Sequence, residues 1–181
     1  MRVVQPIRDL EKIKEIKEHL KQSNLRNYMM FVLGVNTGLR ISDILPLTVG
    51  HVRDRDYISI IEKKTKKQKL MLITDTLKKD IALYLESKND GEYLIKSREG
   101  INKPITRKRA YQILKQIEGQ VGLSELGTHT LRKTFGYHFY KRYKDLATLM
   151  DILNHSTERM TLRYIGVNQD AKDKKMKEFG I

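Results

Sequence analysis

The sequence has 181 residues, of which 36 are Lys or Arg and 22 are Asp or Glu, so the formal net charge is +14. Hydrophobic residues make up 39% of the chain, which is enough for a core and excludes a wholly disordered protein. Cysteine is absent, which excludes disulfides and thiolate metal sites, and no apolar run approaches the roughly 18 residues of a membrane span. So basic a chain is expected to bind a polyanion, nucleic acid first and an anionic membrane surface second.

Helical patterns dominate the first 50 residues. Apolar residues recur at helical spacing from about Leu10 to Gln22 behind a capping Asp9, and a more apolar helix is predicted from about Leu25 to Asn36. Gly38 stands where a helix C-terminal cap is expected, and a short helix is predicted from about Ser42 to Leu47.

The hydrophobic period changes in the middle of the chain, where Tyr57–Ile61 and Leu70–Ile73 are predicted as two short strands around a Lys-rich loop. Helical patterns then resume over the following approximate segments: Asp75–Ser87, Arg107–Val121, Leu131–Arg142, Asp145–Leu153, a helix capped by Ser156 that runs to Ile165, and a charged tail over 168–179. No repeat or linker divides the chain. We therefore expect a single domain over 1–181 that is mainly α (α+β), with a small antiparallel β-hairpin.

Basic residues cluster in the hairpin loop and between residues 100 and 117, where there are five basic residues and no acidic one. One such run is as often a solvated helix face as a binding surface, but several of them in a chain of this charge favour phosphate contacts. The candidates for DNA binding are Lys63, Lys66, Lys67, Lys69, Arg107, Lys108 and Arg109.

Three short motifs contain side chains suited to phosphate chemistry. They are Thr37–Asp43, which includes Arg40, then His129–Arg132, and then Leu153–Ser156, followed nine residues after its His by Tyr164. The spacing of His129 and Arg132 places both on one helix face, where both can reach a single phosphate. Each motif alone is weak evidence, since Arg40 by itself is more readily explained as a core-edge partner of Asp43.

Together, the motifs resemble the catalytic domain of the tyrosine recombinases, the phage integrase family. That pattern is Arg, then Lys on a β-hairpin, then His-x-x-Arg, then His or Trp, then Tyr, and it is met in order by Arg40, Lys64, His129, Arg132, His155 and Tyr164. The resemblance covers nearly the whole chain. Two positions depart from it: Asn154 replaces the usual Gly before His155, and Lys133 stands where His is frequent, a change expected to matter little.

The resemblance implies a role for each residue. The two Arg bind the non-bridging oxygens of a phosphodiester, Tyr164 attacks phosphorus to form a 3′-phosphotyrosine, and Lys64 protonates the leaving 5′-oxygen. Lys66 and Lys67 are close rivals for the place of Lys64. In the same pattern, His129 accepts the proton of Tyr164, and His155 donates a hydrogen bond to the phosphate. Asp43 orients the site. No metal ion or other cofactor is implied, and folding is expected to survive loss of Arg132.

The resemblance also implies partners. Double-stranded DNA is the substrate, self-association on DNA is expected, accessory DNA-bending proteins are allowed as further partners, and the expected location is cytoplasmic, at the nucleoid. We expect the chain to lack the N-terminal core-binding domain of full recombinases. The tail over 168–181, with apolar Phe179 and Ile181, can dock on a neighbouring protomer or pack as a helix on its own subunit.

Two other functions remain open at this point. Asp56 with Glu62-Lys63-Lys64 matches the short motif of a metal-dependent nuclease, in which an Asp and a Glu hold a divalent cation. A non-catalytic basic DNA-binding domain is the other alternative. Inhibition by EDTA would identify a nuclease, and a covalent DNA adduct would exclude a simple binding protein.

Overall fold

The computed structural model describes residues 4–179, and helices dominate it. The helices are α1 (Leu10–Ser23), α2 (Leu25–Thr37), α3 (Ile41–Ile44), α4 (Asp75–Leu85), α5 (Arg107–Gln120), α6 (Thr128–Tyr143), α7 (Leu146–Leu153), α8 (Glu158–Ile165) and α9 (Val167–Phe179). One 3-10 turn covers Val49–His51, and the strands β1 (Tyr57–Ile61) and β2 (Gln68–Leu72) form a two-stranded antiparallel sheet. The predicted mainly α fold with one small hairpin is confirmed.

Polar side chains accept backbone N–H groups at the helix starts. Asp9 caps α1 and Thr106 caps α5, as their positions in the sequence predict. The predicted cap at Ser156 is wrong by one residue, because the side chain of Thr157 accepts the N–H of Met160 and α8 begins after it. Similarly, α6 begins at Thr128, three residues earlier than predicted.

The hairpin pairs Tyr57 with Leu72 and Ile61 with Gln68, so β2 begins two residues earlier than predicted. The loop between the strands is closed by hydrogen bonds from Glu62 N to Lys67 O (3.0 Å) and from Lys66 N to Glu62 O (2.9 Å). Such closure holds the intervening residues in one compact turn.

The core has two parts that meet along α6. The larger part surrounds α2, where Gly34 lies so close to α6 that an added Cβ would be 2.6 Å from Leu131 Cβ. The smaller part is formed by Tyr137, Leu149, Leu153 and Ile165, from α6, α7 and α8. Because α6 contacts both parts, residues at its start are held rigidly relative to both α2 and α8.

The tail follows Gly166, whose φ of +83° ends α8. Helix α9 buries none of its residues, although Asp170 in its first turn accepts a 2.7 Å hydrogen bond from Arg8 Nε. Phe179 is exposed, and Ile181 lies outside the described residues. Within residues 4–179, no helix has the length and apolar character needed to cross a membrane.

Candidate active site

Four of the six candidate catalytic residues, Arg40, Lys64, His129 and Arg132, line an open pocket of about 700 Å³ between α3, the hairpin loop, the start of α5 and the start of α6. Its lining includes no Asp or Glu among the described residues. The Arg, Lys and His side chains that line it are Arg40, Lys63, Lys64, Arg107, His129 and Arg132. A concave surface with this charge is suited to an anionic ligand such as a phosphodiester.

Arg40 reaches the pocket because α2 ends abruptly before it. Gly38 has a φ of +61°, and a Cβ there would lie 2.4 Å from the ring of Phe135, so only glycine fits this turn. Arg40 then caps α3, and its Nη1 lies 2.8 Å from Glu62 Oε1 but 3.9 Å from Asp43 Oδ2. Its main ion-pair partner is therefore Glu62, and the core-edge pairing with Asp43 is only secondary.

Arg132 is a buried side chain that joins two helix ends, with only 2% of its surface exposed. Its Nη1 donates to Gly38 O at 2.5 Å and its Nη2 to Leu153 O at 2.7 Å, which leaves its other N–H groups for a ligand. Burial lowers the pKa of Arg132. This burial contradicts the premise of the expectation that folding survives loss of Arg132, namely that the side chain contributes little to the core. Its loss would leave two buried carbonyls without these donors and should lower stability.

Tyr164, on α8, packs against the smaller part of the core, and its hydroxyl lies 3.5 Å from His129 Nδ1. Burial raises the pKa of Tyr164, whereas the charges of Arg132 and Arg40 and a hydrogen bond from Arg132 act in the opposite direction. Lys133 Nζ lies 5.1 Å from the centre of the Tyr164 ring. The hydroxyl of Tyr164 therefore lies beside a proton acceptor, and its ring lies beside the cation of Lys133.

Both imidazoles of the site are held neutral at pH 7. Partial burial, followed by the charges of Lys133 and Arg107, lowers the pKa of His129. Burial and the charges of Arg132 and Arg40 lower the pKa of His155 to about 4. A neutral His129 can accept the proton of Tyr164.

His155 lies at the end of α7, and its ring is perpendicular to that of Tyr164, with 5.0 Å between the ring centres. Its Nδ1 is 3.0 Å from Thr161 Oγ1, and that hydroxyl donates to Thr157 O at 3.2 Å. Thr161 therefore accepts from Nδ1–H, and the neutral ring has no proton on Nε2. The predicted hydrogen bond from His155 to phosphate requires a second proton on the ring, which an arriving anion favours electrostatically.

The hairpin loop places four of its lysines in solvent, and two of these, Lys63 and Lys64, line the pocket. The exposed side chains of Lys66 and Lys67 follow in the loop. Lys69 differs, because it is 8% exposed, donates to Ile152 O and lies 3.7 Å from Glu62 Oε1. The prediction that Lys69 contacts DNA is contradicted by this placement, since its ammonium group is taken up by protein oxygens.

Asp43 lies on α3 and contacts the hairpin loop. Its Oδ1 accepts a 3.0 Å hydrogen bond from the backbone N–H of Lys63, which attaches the hairpin loop to α3. Its Oδ2 is buried and accepts no hydrogen bond. In the part of the chain that the structure describes, no other buried side-chain oxygen or nitrogen lacks a hydrogen bond. This oxygen faces Arg40, as noted above.

Sequence reasoning missed Glu62 and Thr161 as site residues. Glu62 is fully buried between Arg40 and the hairpin loop, and Thr161 fixes the ring of His155. From sequence, Glu62 is a candidate only as a metal ligand of the nuclease alternative. A Glu beside a run of Lys gives no sign that its side chain is buried against an Arg. The three basic residues predicted at the start of α5, namely Arg107, Lys108 and Arg109, are exposed and close to the pocket.

The residues of the nuclease alternative do not come together. Asp56 forms a 2.5 Å ion pair with Lys78, whereas Glu62 lies at the other end of β1, roughly 20 Å away for six residues of extended chain. Among residues 4–179, no three His, Asp or Glu side chains are arranged to hold a metal ion. Asp56 and Glu62 therefore do not form the cation site of this alternative.

Comparisons with known proteins match the chain to the phage integrase family over residues 8–171. The chain is 51% identical over 180 residues to the probable integrase/recombinase YoeC of Bacillus subtilis (strain 168), covering 99% of both chains. It is 33% identical over 153 residues to the tyrosine recombinase XerC of Herpetosiphon aurantiacus, covering 81% of this chain and 49% of XerC. The chain thus spans nearly all of one relative and about half of the other.

Solved structures show the same fold. The crystal structure of the XerA recombinase matches 100% of this chain and 66% of its own, with a TM-score of 0.77 and 18% identity. A lambda integrase (75-356) dimer bound to a COC′ core site matches 91% of this chain and 60% of its own, with a TM-score of 0.70 and 19% identity. The family match over most of the chain, and the relative of 51% identity, show that this protein belongs to the phage integrase family.

Proposed function

We propose that this chain is a tyrosine recombinase catalytic domain that cleaves and rejoins duplex DNA through a covalent 3′-phosphotyrosine. The observation that carries the proposal is the position of the Tyr164 hydroxyl, 3.5 Å from His129 Nδ1, which itself lines a pocket of basic side chains that includes Arg40 and Arg132. A nucleophile, a neutral base and fixed cations are the groups that phosphoryl transfer requires.

The proposed reaction begins when a phosphodiester enters the pocket. N–H groups of Arg40 and Arg132 bind its non-bridging oxygens and stabilise the charge that develops in the transition state. Tyr164 Oη attacks phosphorus as its proton passes to His129, and the bond from phosphorus to the 5′-oxygen breaks. Lys64 gives a proton to that oxygen. Rejoining reverses these steps with a 5′-hydroxyl of the same or another strand, so the bond energy is retained in the phosphotyrosine.

The other predicted contacts belong to the same proposal. Exposed Lys63, Lys66 and Lys67, together with the three basic residues that begin α5, would bind the DNA backbone outside the pocket. We expect the protein to act at the nucleoid in the cytoplasm, where its DNA substrate lies. Accessory DNA-bending proteins remain a prediction.

Self-association on DNA is the remaining part of the proposal. It is supported by α9, which buries no residue on its own subunit and follows the turn at Gly166. Ordered contacts of this helix with its own subunit, including the ion pair between Arg8 and Asp170, favour the alternative of a self-packed tail. Organisation as one catalytic domain without the core-binding domain likewise stays a prediction.

The test is covalent capture. The full chain is incubated with a pool of 5′-labelled nicked duplexes of randomised central sequence, from which the short 5′-hydroxyl fragment diffuses away after cleavage. A 3′-phosphotyrosine leaves the label on the protein in a denaturing gel, and the yield is expected to persist in EDTA.

The critical variant is Tyr164→Phe, which should abolish the labelled protein while leaving the melting temperature nearly unchanged. Tyr143→Phe is the matched control, since Tyr143 is exposed on α6 and should be dispensable. Undiminished labelling of Tyr164→Phe, or a strict requirement for a divalent metal, would refute the assignment. DNA binding without any adduct from the parent chain would favour the non-catalytic alternative.

A further inference from the structure

Glu62 connects three separate parts of the site from a fully buried position. Its Oε1 accepts from Arg40 Nη1 at 2.8 Å, and its Oε2 accepts from Thr65 Oγ1 at 2.6 Å and from Asn154 Nδ2 at 2.6 Å. The carboxylate therefore contacts the first Arg, the loop that carries Lys64, and the turn that carries His155.

Asn154 is the residue that departs from the family pattern, in which Gly precedes the His. It ends α7 with a φ of 49° and a ψ of 49°, a left-handed conformation that Asn adopts more readily than most other residues that carry a Cβ. Unlike Gly, Asn also supplies an amide, and this amide is the group that reaches Glu62 across 92 positions of the sequence. The replacement thus keeps the turn and adds a buried hydrogen bond.

We propose that the Glu62–Asn154 pair is a positioning device that holds Arg40 and the His155 turn in register for DNA cleavage. The inference rests on the proposed function and concerns two residues that do not themselves touch the phosphate. The side chain of Arg40 is long, and the residue precedes a helix of only four residues. A carboxylate on one of its terminal nitrogens fixes the plane of the guanidinium and leaves its other N–H groups for the ligand.

The charge balance around Glu62 supports this role. Lys69 Nζ lies 3.7 Å from Oε1, so the carboxylate contacts two cations. Burial acts to raise the pKa of Glu62, but the hydrogen bond from Thr65 and the charges of Lys69 and Arg40 outweigh burial, and the pKa is lowered. Lys69 also donates to Ile152 O, two residues before Asn154. Strand β2 thus connects to the same end of α7, and the hairpin and the His155 turn are held together at two points.

Four variants test the pair by exchanging its hydrogen-bonding groups. Asn154→Gly restores the usual residue of the family and keeps the turn but removes the amide. Asn154→Asp places a second carboxylate against Glu62, and Glu62→Gln removes the charge while an amide flip of Asn154 preserves their hydrogen bond. In the double variant Glu62→Gln with Asn154→Asp, the Gln amide donates to the new carboxylate, and the total charge equals that of the parent.

The assay measures the rate of adduct formation at saturating DNA, the affinity for the same nicked duplex pool, and the melting temperature. We expect Asn154→Gly to slow adduct formation about tenfold and Asn154→Asp at least a hundredfold, with DNA affinity nearly unchanged. The double variant should react at least tenfold faster than Asn154→Asp alone. Asn168→Asp is the matched control, because it makes the same change of charge at an exposed position of α9.

A purely structural role would lower the melting temperature without slowing the reaction of the folded protein. Folded Asn154→Gly and Asn154→Asp that react at the parental rate would therefore overturn the proposal, as would a double variant no faster than Asn154→Asp. Failure of the proposed function is a different result, namely a parent chain that forms no adduct at all.

Discussion

Replacing His155 by Asn is expected to remove a pH dependence of folding stability that burial of this imidazole creates. The native chain holds His155 neutral, because burial and the charges of Arg132 and Arg40 lower its pKa from 6.5 to about 4. In the unfolded chain, the same imidazole takes up a proton as the pH falls through about 6.5. The unfolded state therefore binds more protons between these two values, and native stability must decrease as the pH falls.

The magnitude follows from the two pKa values. Relative to pH 7.5, a shift from about 6.5 to about 4 destabilises the native chain by about 2 kcal/mol at pH 5 and by about 3 kcal/mol at pH 4. Asn keeps a donor that can reach Thr161 but has no proton to gain. The difference in unfolding free energy between parent and His155→Asn should thus change by about 2 kcal/mol between pH 7.5 and pH 5.

Urea unfolding of both proteins at half-unit steps of pH measures this difference directly. Groups that titrate in both proteins, including the carboxylates and the second lowered imidazole, His129, cancel in the comparison. Above pH 7.5 the difference should be constant, which provides the internal control. If the difference in unfolding free energy does not change between pH 7.5 and pH 5, His155 is not desolvated as described. That result would also refute the assignment of a neutral imidazole beside Tyr164.

Three further variants concern cations of the site, Arg132 and Lys133 on α6 and Arg40 before α3. Arg132→Ala should abolish adduct formation and also lower the unfolding free energy by about 3 kcal/mol, because it removes donors from two buried carbonyls. Arg40→Ala should lose adduct formation at least a hundredfold with a smaller loss of stability, and equal stability of the two variants in urea would contradict this account. Lys133→Met should slow adduct formation about tenfold by removing the cation 5.1 Å from the Tyr164 ring, against the expectation from sequence that this position matters little. Quench-flow measurement of the rate of adduct formation at saturating DNA tests this prediction. A rate equal to that of the parent would show that Lys133 contributes only to packing.

Much of the fold was predictable because the signals are local. Helical periodicity, capping residues such as Asp9 and Thr106, and the change of period at Tyr57 depend on neighbours within one or two turns of chain. The same locality explains the errors, since the cap at Ser156 and the strand boundary at Leu70 depend on which of several neighbouring residues fits the surrounding structure. Register and cap choice are settled by packing, which periodicity does not report.

The sequence alone was enough to predict the family, because the order and spacing of the three motifs are read directly from it. The same motifs identified Arg40, Arg132 and Tyr164 as candidate site residues. Tertiary structure decided which charges face the pocket and which lie beneath it. Lys69 looks in sequence like its exposed neighbours, yet strand pairing turns it inward, where backbone and carboxylate oxygens satisfy its ammonium group. Glu62 and Asn154 are 92 positions apart, and only the packing of the hairpin against the end of α7 brings their side chains into contact. Burial and long-range contact depend on how the elements pack, and no short stretch of sequence contains that information.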